Sequence, residues 1–443
     1  MLTGMSTALF TDRYELTMLD AALRDGTAAR HCVFELFTRR LSGGRRFGVV
    51  AGTGRLLSLI RDFRFDEAEL RYLRDEKVVD AATVAFLEDY RFTGSVSGYR
   101  EGELYFPGSP LLTIEGSFAE AVVLETIALS VLNYDSAVAT AAARMSIAAG
   151  DRPLAEMGSR RAGEHSAVAA ARAAYIAGFD ATSNLEAGQA WGIPTMGTAA
   201  HSFTLLHDSE EDAFRSQIDA LGVKTTLLVD TYDIRTGVET AIRVAGTDLG
   251  GVRLDSGDLP IVAAEVRAQL DELGATNTKI TVTSDLDEYA IATLAAAPVD
   301  AYGVGTALVT GSGTPTAGMV YKLVARQAGD GSWVSVAKAS TDKASKGGRK
   351  AAFRTLDAGT ATQELITVSD GFENVPSAGE FPDARPLQAV FVTGGEIDTA
   401  YEGAAGVAAA RTHHARVREE LPVRALALSR ADPAIPTVYV DVD

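Results

Sequence analysis

A regular alternation of short apolar segments and helical spacers constrains the fold of this chain more than any other feature. Seven apolar segments between residues 154 and 305 each end in a polar residue or a glycine and precede a stretch with helical periodicity. They are Leu154–Gly158, Phe179–Asn184, Ile193–Thr198, Thr225–Asp230, Gly251–Asp255, Ile280–Asp285 and Val299–Gly305. Repeated strand–helix units predict an α/β fold built on a parallel sheet, either a barrel or a doubly wound sheet.

Polar side chains at the ends of these segments are the first candidates for chemistry, because parallel α/β folds carry their catalytic groups at the carboxyl ends of the strands. The segments place there Arg160, Thr198, Asp230, Arg253, Asp255 and Asp285. Aspartate also ends strands simply as a turn residue or helix cap, so any one position can be structural. A set that includes arginines at several strand ends favours function.

The regions on either side of these segments have a different organisation. Residues 1–115 mix predicted helices and strands, and residues 118–149 are so rich in Ala and Leu that they predict one or two buried helices. Residues 327–350 are loop-like, and the tail combines strands at Leu387–Thr393 and Pro436–Val442 with a helix around Glu402–Val423. At 443 residues, the chain is longer than one ordinary domain.

Charge and cysteine content exclude several classes of function. The chain has 41 Lys and Arg against 59 Asp and Glu, a net charge of −18, which disfavours nucleic acid or an anionic membrane as a partner. The single cysteine, Cys32, excludes an internal disulfide and a cysteine-based zinc site. No apolar run reaches the ~18–20 residues of a membrane span, and the N-terminus lacks a signal-peptide pattern. We therefore expect a soluble cytoplasmic protein.

Two motifs bring arginines to strand ends. In Gly158-Ser159-Arg160-Arg161, the guanidinium groups can bind phosphate or carboxylate through paired hydrogen bonds. In Gly251–Asp258, Arg253 and Asp255 lie two residues apart on a strand and face the same side. Asp255 and Asp258 could hold a hydrated Mg²⁺, which proteins bind through one or two carboxylates together with substrate phosphates. A structural Arg253–Asp255 ion pair explains this second motif equally well.

Two further motifs have weaker patterns. In Gly303–Leu308, glycines at a strand end would let backbone N–H groups approach a phosphate at the start of a helix. His201 follows the strand-end pair Gly197-Thr198, and the six histidines show no metal-ligand spacing that would predict a zinc site. A histidine that merely caps the following helix is the structural alternative.

Taken in order, these motifs resemble the nicotinate phosphoribosyltransferase family. The matching stretches are TDRYELTML, GSRRAGEHSAVAAARAAYIAGFDATSNLEAG, GIPTMGTAAHSF, LVDTYD, GVRLDSGDL, TSDLDEY, GVGTALVT and TAGMVYKLV, with Gly348-Arg349-Lys350 beyond them. They cover about residues 9–325. No single stretch is decisive, but the ordered set is highly specific. LVDTYD also has a superficial likeness to the acidic loop of type I phosphoribosyltransferases, but its acidic pair is split and its Thr236-Gly237 turn is short.

The resemblance implies a fold, a reaction and an assembly. Members of this type II family have an atypical (β/α) barrel domain, here residues 116–344, and an α/β domain built from both chain ends, here 1–115 with 345–443. They act as homodimers with shared active sites. They couple ATP to the condensation of nicotinate with 5-phosphoribosyl 1-diphosphate, which gives nicotinate mononucleotide and diphosphate in NAD salvage. Mg²⁺ is the implied cofactor.

The resemblance also implies roles for individual residues. The nicotinate-binding residues are Tyr14, from the neighbouring subunit, Thr198 and Arg253, which meets the carboxylate. The phosphoribosyl diphosphate-binding residues are Arg160, Asp255, Gly305 and Thr306. The catalytic residues are Asp255 and His201, and of these ATP phosphorylates His201. At Met157 the chain departs from related nicotinamide-using enzymes, which have a stacking phenylalanine there.

Three other functions stay open at this level. A quinolinate phosphoribosyltransferase would need a denser basic pocket for two carboxylates and a shorter chain. A nicotinamide phosphoribosyltransferase shares the Arg-x-Asp-Ser-Gly pattern, but would be expected to place an acidic residue near the base, and Gly197–Ser202 contains none. A phosphosugar-binding barrel without catalysis would act as a sensor.

Overall fold

The computed structural model of the protein describes residues 6–337, 346–369, 381 and 383–442. The chain divides into a first unit, Met1–Thr140 with Thr314–Asp443, and a central unit, Ala141–Gly313. The sequence predicts a central domain of 116–344, and the observed central unit is shorter at both ends. Met319–Gln327 belongs to the first unit, because it pairs with His31–Thr38 in that unit's sheet. The predicted boundary at 344/345 lies outside the described residues.

The central unit is built on one parallel sheet of six strands. Their order in the sheet is Ala181–Thr182, Leu154–Glu156, Ala301–Val304, Lys279–Val282, Gly251–Leu254 and Thr226–Leu228. The predicted mixed α/β class and six of the seven predicted strand segments are confirmed. Within residues 141–313, all of which are described, no strand pairing joins the two edges, so the hydrogen-bonded sheet is open.

The predicted strand at Ile193–Thr198 is wrong. This segment forms only an isolated bridge between Thr195 and Thr182. Pro194 has no N–H to donate, and this limits the ladder that the segment can form. Its carbonyl oxygen still accepts a hydrogen bond from the Thr182 N–H at 3.0 Å, so the segment runs along the edge of the sheet.

Helices follow the strands of the central unit, as the alternation predicts. They are Glu164–Ile176, Leu185–Trp191, His201–Leu206, Glu210–Leu221, Ile234–Ala245, Leu259–Glu272, Glu288–Thr293 and Thr306–Val309, with short 3₁₀ turns at Ser159–Arg161 and Leu294–Ala296. Asp233 caps the helix Ile234–Ala245, because its side chain accepts a hydrogen bond from the Thr236 N–H at 2.9 Å. The acidic end of LVDTYD is therefore explained as a helix cap.

The described residues of the first unit form three sheets. The largest has seven strands in the order Trp333–Ser335, Met319–Gln327, His31–Thr38, Leu112–Ser117, Ser95–Tyr99, Gln388–Thr393 and Glu396–Ile397. A second sheet orders Ala384–Pro386, Arg349–Asp357, Thr360–Ser369 and Thr437–Asp441, and Gly48–Val49 pairs with Leu104–Tyr105. The loop-like interpretation of 327–350 is wrong where Trp333–Ser335 and the start of Arg349–Asp357 form strands, and residues 338–345 lie outside the described part.

The helices of the first unit pack on the largest sheet and around it. They are Arg13–Asp25, Thr53–Arg61, Glu67–Asp75, Ala81–Glu88, Phe118–Val122 and Gly403–Arg418, and the division between units falls inside Glu125–Ala149. Short 3₁₀ turns occur at Ala8–Phe10, Ser42–Gly44, Thr399–Tyr401 and Val423–Leu426. Leu16 and Leu19 of the first helix share one core with Phe34 and Tyr321, whose rings stack at 4.9 Å.

One helical segment among the described residues has the length and composition of a membrane span, Phe118–Ala149. The expectation that no apolar run is long enough is wrong on this count. Because 67% of its most apolar window is buried inside the protein, it is a core segment. Its many alanines are apolar enough to pass a composition test and small enough to pack closely.

His414 makes the stability of the first unit sensitive to acid. Its imidazole is buried on the helix Gly403–Arg418, with Nδ1 2.9 Å from the Gly102 carbonyl oxygen. Burial lowers the pKa of His414 to about 4. The pKa of His414 in the folded protein lies below the ordinary value of about 6.5, so the unfolded chain takes up the proton first as the pH falls. The folded state therefore has its full stability above pH 6.5 and loses stability as the pH falls towards 4.

We expect the free energy of unfolding to fall by up to about 3 kcal/mol through this one group over that range. Urea unfolding at a series of pH values measures the effect. His414→Gln does not titrate, so its unfolding should depend less on pH than that of the wild type between pH 6.5 and 4. Identical pH dependence in the two proteins would show that another group is responsible.

Candidate active site

The predicted site residues of the central unit gather at the carboxyl ends of neighbouring parallel strands. The strands Leu154–Glu156, Ala301–Val304, Lys279–Val282, Gly251–Leu254 and Thr226–Leu228 are consecutive in the sheet. At or just after their ends lie, in the same order, Arg160, Gly305, Thr283, Arg253 and Asp230. Parallel strands bring their carboxyl ends to one edge, so residues far apart in the chain become neighbours there.

Arg253 is the most strongly positioned of these side chains, and only 13% of it is exposed. Its Nε donates to the Thr283 hydroxyl at 3.0 Å, and its Nη1 donates to the Thr198 hydroxyl at 2.8 Å and to the Ala199 carbonyl oxygen at 3.1 Å. The structure thus brings the two predicted nicotinate-binding residues of this unit into contact. Nη2 makes no hydrogen bond with the described residues, so its N–H groups can receive a carboxylate.

Asp255 lies beside Arg253, with its Oδ1 3.6 Å from Arg253 Nη2. The same oxygen accepts a short hydrogen bond from the Thr283 hydroxyl. The ion pair that the sequence allowed is therefore present, but it is long. The carboxylate remains partly exposed at 29% and can still face a ligand.

Asp230 supports the turn that carries Asp255. Its Oδ2 accepts hydrogen bonds from the Asp255 N–H at 2.7 Å and from the Ser256 hydroxyl at 2.8 Å. Although Asp230 is buried, its other oxygen, Oδ1, has no hydrogen-bond partner among the described residues. A buried carboxylate oxygen without a partner is costly and marks a place for a donor or a cation.

The carboxylates fit the chemistry of Mg²⁺ better than that of a metal held by protein alone. Among the described residues, no group of three or more His, Cys, Asp or Glu side chains is placed to hold an ion. Asp230 and Asp255 supply two carboxylates at the ends of neighbouring strands, the number that Mg²⁺ uses when waters and substrate phosphates complete its shell. Asp258 is exposed at the start of the helix Leu259–Glu272 and makes no cap hydrogen bond through its side chain.

His201 begins the helix His201–Leu206, but its ring does not cap that helix. Nδ1 lies 3.1 Å from the Thr231 hydroxyl, and Nε2 lies 3.8 Å from Asp255 Oδ2. The ring is 41% exposed and so remains accessible. His207, by contrast, is held at the end of the same helix by a 2.8 Å contact between its Nδ1 and the Phe203 carbonyl oxygen. The helix-cap alternative for His201 is therefore wrong.

The turn that carries Arg160 lies directly beside the Gly305-Thr306 turn. The Met157 N–H donates to the Val304 carbonyl oxygen at 2.8 Å. A Cβ at Gly158 would lie 3.0 Å from the Gly305 carbonyl oxygen, which is tight contact. Arg160 and Thr306 are both exposed. Two predicted phosphoribosyl-binding elements, about 150 residues apart in sequence, thus form one continuous edge.

Met157 lies against the same edge. A Cβ at Gly303 would come within 2.7 Å of the Met157 sulfur and 2.6 Å of the Thr283 methyl group, so a glycine is needed there for both to pack. Since Thr283 is hydrogen-bonded to Arg253, Met157 and Arg253 border the same space across two strands.

Tyr14 is the one predicted site residue that belongs to the first unit. It lies on the helix Arg13–Asp25 and is 47% exposed. Partial burial and the nearby Glu125 carboxylate raise the pKa of its phenol, so the ring stays neutral. Leu9 and Phe10 of the preceding 3₁₀ turn and Met18, one helical turn after Tyr14, are also exposed, and we call these four residues the N-terminal apolar stripe.

Sequence reasoning missed four residues that shape this edge. Thr283, Thr231 and Glu156 were given no role, and Asp230 was noted only as a strand end. Thr283 had a visible indication, because it immediately precedes Ser284-Asp285 at the end of a predicted strand. Nothing in the sequence around Glu156 indicated a role, since a glutamate two residues before a glycine is a common pattern.

Comparison with known proteins gives one consistent result. The nicotinate phosphoribosyltransferase (NAPRTase) N-terminal domain matches residues 9–133, and the nicotinate phosphoribosyltransferase (NAPRTase) family matches residues 153–369. A nicotinate phosphoribosyltransferase of Mycobacterium tuberculosis, pncB1, is 54% identical over 97% of this chain and 94% of its own length. The nicotinate phosphoribosyltransferase of Bacillus subtilis is 40% identical over 80% of this chain and 74% of its own length.

Solved structures agree. The crystal structure of human nicotinic acid phosphoribosyltransferase superposes with a TM-score of 0.79 at 28% identity and covers 97% of both chains. Since 97% of the chain is covered, the match spans both units of the fold. The chain therefore belongs to the nicotinate phosphoribosyltransferase family.

Proposed function

We propose that the protein condenses nicotinate with 5-phosphoribosyl 1-diphosphate to form nicotinate mononucleotide and diphosphate, as a step of NAD salvage. The observation that carries the proposal is Arg253, which is mostly buried and held by Thr198 and Thr283, while its Nη2 makes no hydrogen bond to a described residue. A fixed guanidinium with free N–H groups matches a planar carboxylate in shape and charge. The sequence identity to curated relatives over nearly the whole chain supports the same reaction.

The reaction needs positioning and charge stabilisation more than acid–base chemistry. The pyridine nitrogen of nicotinate is itself the nucleophile, so no general base has to activate it. Bond formation at the ribose C1 passes through an oxocarbenium-like state while diphosphate leaves. In this assignment Arg253 and Thr198 orient the pyridine, and Met157 lies against one of its faces. The Asp255 carboxylate offers negative charge to the electron-poor ribose.

The anionic co-substrate fits the edge formed by the two strand-end turns. Arg160 would bind a phosphate group through its guanidinium, and the backbone of Gly305-Thr306 would approach a second phosphate oxygen. Asp230 and Asp255 would hold Mg²⁺ together with the diphosphate, and the cation would neutralise the leaving group. We also infer that the open sheet of the central unit is the incomplete wall of the (β/α) barrel that this family has.

His201 supports coupling to ATP. Its ring is accessible and lies between Thr231 and Asp255 rather than in a helix cap. A neutral imidazole can attack the γ-phosphate of ATP, and the new N–P bond forms as the bond to the bridging oxygen breaks and ADP leaves. A phosphohistidine here would place new negative charge beside the carboxylates that hold Mg²⁺, which would favour retention of the metal and its diphosphate.

The N-terminal apolar stripe supports a homodimer. Its four exposed apolar side chains lie within ten residues of one another, and a soluble monomer rarely leaves such a group uncovered. In this proposal the stripe packs on a second copy, and Tyr14 reaches the nicotinate of that copy. The two active sites of the dimer are then shared between subunits.

Sharing predicts complementation between two inactive variants. Tyr14→Ala and Arg253→Ala are each expected to lose most activity. The two proteins are mixed under native conditions so that subunits exchange. Dimers with one subunit of each variant should recover activity, because one of their two sites has no substitution. The measurement is the rate of nicotinate mononucleotide formation before and after exchange, which a tagged-subunit pull-down verifies. Full exchange without recovery would mean that each site is built from one subunit.

A direct assay decides between the proposed function and its alternatives. Purified protein is incubated with phosphoribosyl diphosphate and Mg²⁺, with and without ATP, and with nicotinate, nicotinamide or quinolinate in parallel. We expect nicotinate mononucleotide and diphosphate to form, and the other two bases to react poorly. Equal or faster use of nicotinamide would reverse the base assignment. Binding of phosphoribosyl diphosphate without turnover of any base would indicate a sensor.

A further inference from the structure

Glu156 is a buried carboxylate to which the mechanism above gives no task. It ends the strand Leu154–Glu156 and is 0% exposed. Charged side chains are rarely buried to this degree unless a partner compensates them. Within the described residues, no lysine, arginine or histidine forms an ion pair with it. Both of its oxygens instead accept hydrogen bonds from neutral donors.

One oxygen of Glu156 holds the arginine-bearing turn. Oε1 accepts a short hydrogen bond from the Gly158 N–H, and the Arg161 N–H then closes the turn on the Gly158 carbonyl oxygen at 2.8 Å. Gly158 is enclosed, since a Cβ there would overlap Val309. Fixing Gly158 therefore fixes where Arg160 leaves the backbone.

The other oxygen reaches the opposite side of the site through Thr182. Oε2 accepts a hydrogen bond from the Thr182 hydroxyl at 2.5 Å. The Thr182 backbone in turn pairs with the neighbouring segment, because its N–H donates to the Pro194 carbonyl oxygen at 3.0 Å and its carbonyl oxygen accepts from the Met196 N–H at 2.9 Å. Two residues after Met196 comes Thr198, whose hydroxyl accepts from Arg253.

The two hydrogen bonds to Glu156 require that both of its side-chain oxygens act as acceptors. Both the Gly158 N–H and the Thr182 hydroxyl donate, and the Thr182 hydroxyl oxygen already accepts from the Asn184 N–H at 2.9 Å. Burial raises the pKa of Glu156, whereas these two donors favour its carboxylate. A side chain with two acceptor oxygens satisfies both partners at once, and alanine would satisfy neither.

We propose that Glu156 is a positioning residue that fixes the Arg160 turn and the Thr195–Thr198 segment relative to one another. Because the first binds phosphoribosyl diphosphate and the second helps to bind nicotinate, the two substrates are then held in the correct relative position. The inference rests on the proposed function, which assigns these two binding roles. Glu156 touches neither substrate in this account. It acts through Gly158 on one side and through Thr182 on the other.

Three variants separate the two sides of this connection. Thr182→Val keeps the shape and the backbone bonds of Thr182 but removes the hydroxyl, which donates to Glu156 and accepts from the Asn184 N–H. Glu156→Ala removes both connections. Glu156→Gln keeps an acceptor for the Gly158 N–H, and the second lone pair of the Thr182 hydroxyl can accept from its amide N–H beside the bond from Asn184. Glu120→Gln is the matched control, because Glu120 also accepts from backbone and hydroxyl groups, those of Thr93 and Ser117, but lies in the first unit.

The KM values for nicotinate and for phosphoribosyl diphosphate give the readout, measured for each variant below its thermal unfolding midpoint. For Thr182→Val we expect the nicotinate KM to rise at least about fivefold and the KM for phosphoribosyl diphosphate to change less than about twofold, as for loss of the two hydrogen bonds of one hydroxyl on one side. Glu156→Ala should raise both values at least about fivefold. Glu156→Gln should stay within about threefold of the wild type, and Glu120→Gln within about twofold.

Other results would overturn the inference. A Glu156→Ala protein with unchanged KM values would remove the positioning role, and so would a Thr182→Val protein in which both KM values rise equally or neither rises. If Glu156→Gln is as impaired as Glu156→Ala, the negative charge matters and not the two hydrogen bonds. A wild-type protein that forms no nicotinate mononucleotide would overturn the proposed function and this inference together, whereas the preceding outcomes in an active wild type overturn the inference alone.

Discussion

Replacing Arg253 with alanine is expected to raise the KM for nicotinate by far more than tenfold. The guanidinium is 13% exposed and is held in place by Thr198 and Thr283, so the substrate carboxylate would meet a fixed and largely desolvated charge. Truncating one partner of such a pair costs about 2–5 kcal/mol, mostly because the remaining charge is left without a partner. Initial rates at varied nicotinate and saturating phosphoribosyl diphosphate measure the effect.

Arg253→Lys separates charge from geometry. A lysine keeps the positive charge, but its three donors lie on one nitrogen and cannot reach Thr283, Thr198 and a carboxylate as the separate guanidinium nitrogens do, so it should recover only part of the affinity. Arg267→Ala is the matched control: this arginine of the helix Leu259–Glu272 donates to the backbone carbonyl oxygens of Thr278 and Ala275, and its loss should lower stability without changing the nicotinate KM. A nicotinate KM that moves less than about tenfold in Arg253→Ala, roughly 1.4 kcal/mol, would show that the carboxylate binds elsewhere.

The sequence was sufficient to predict the six strands of the central sheet and some of the residues at their ends. The pattern of apolar segments followed by helices is local, and it located six strands of the central sheet along with Arg253, Asp255 and Gly305. The exception, Ile193–Thr198, contains Pro194, whose missing N–H weakens a ladder without changing the apolar pattern. Local pattern reports burial well and hydrogen bonding less well.

The order of the strands could not be predicted in the same way, and the contacts of the site depend on it. Leu154–Glu156 is the first strand of the central unit in sequence, yet it lies beside Ala301–Val304, the last. Only that pairing puts the Arg160 turn against Gly305. Similarly, Asp230 can accept from the Asp255 N–H because Thr226–Leu228 and Gly251–Leu254 are neighbours in the sheet. Such pairings are non-local, so no single segment of sequence contains them.

The boundary between the two units also depends on non-local strand pairing. Met319–Gln327 follows the central unit directly in sequence, and its apolar residues would suit a further parallel strand. It pairs antiparallel with His31–Thr38 instead, nearly 300 residues earlier in the chain. Pairing with a distant strand, which local pattern does not contain, therefore decided to which unit this segment belongs.

His201→Ala is expected to abolish phosphorylation of the protein by ATP and to remove the stimulation of synthesis by ATP. The ring lies 3.1 Å from the Thr231 hydroxyl and 3.8 Å from Asp255, and it is accessible, so a phosphate carried on it would sit beside the carboxylates that hold Mg²⁺ in the proposed site. Condensation itself should continue at a reduced rate, because His201 takes no part in forming the bond to the ribose. Labelling with ATP that is radioactive at its γ-phosphate measures the first effect, and initial rates with and without ATP measure the second.

His207→Ala is the matched control for this experiment. His207 lies six residues later in the chain. Its Nδ1 contacts the Phe203 carbonyl oxygen, and its ring packs edge-on against the Phe203 ring, with 4.7 Å between the ring centroids. Its removal should leave acid-labile labelling intact. Undiminished acid-labile labelling of His201→Ala, with loss of labelling in His207→Ala, would transfer the role to His207. It would also mean that the helix His201–Leu206 rearranges when ATP binds, because the His207 ring faces its own helix in this structure.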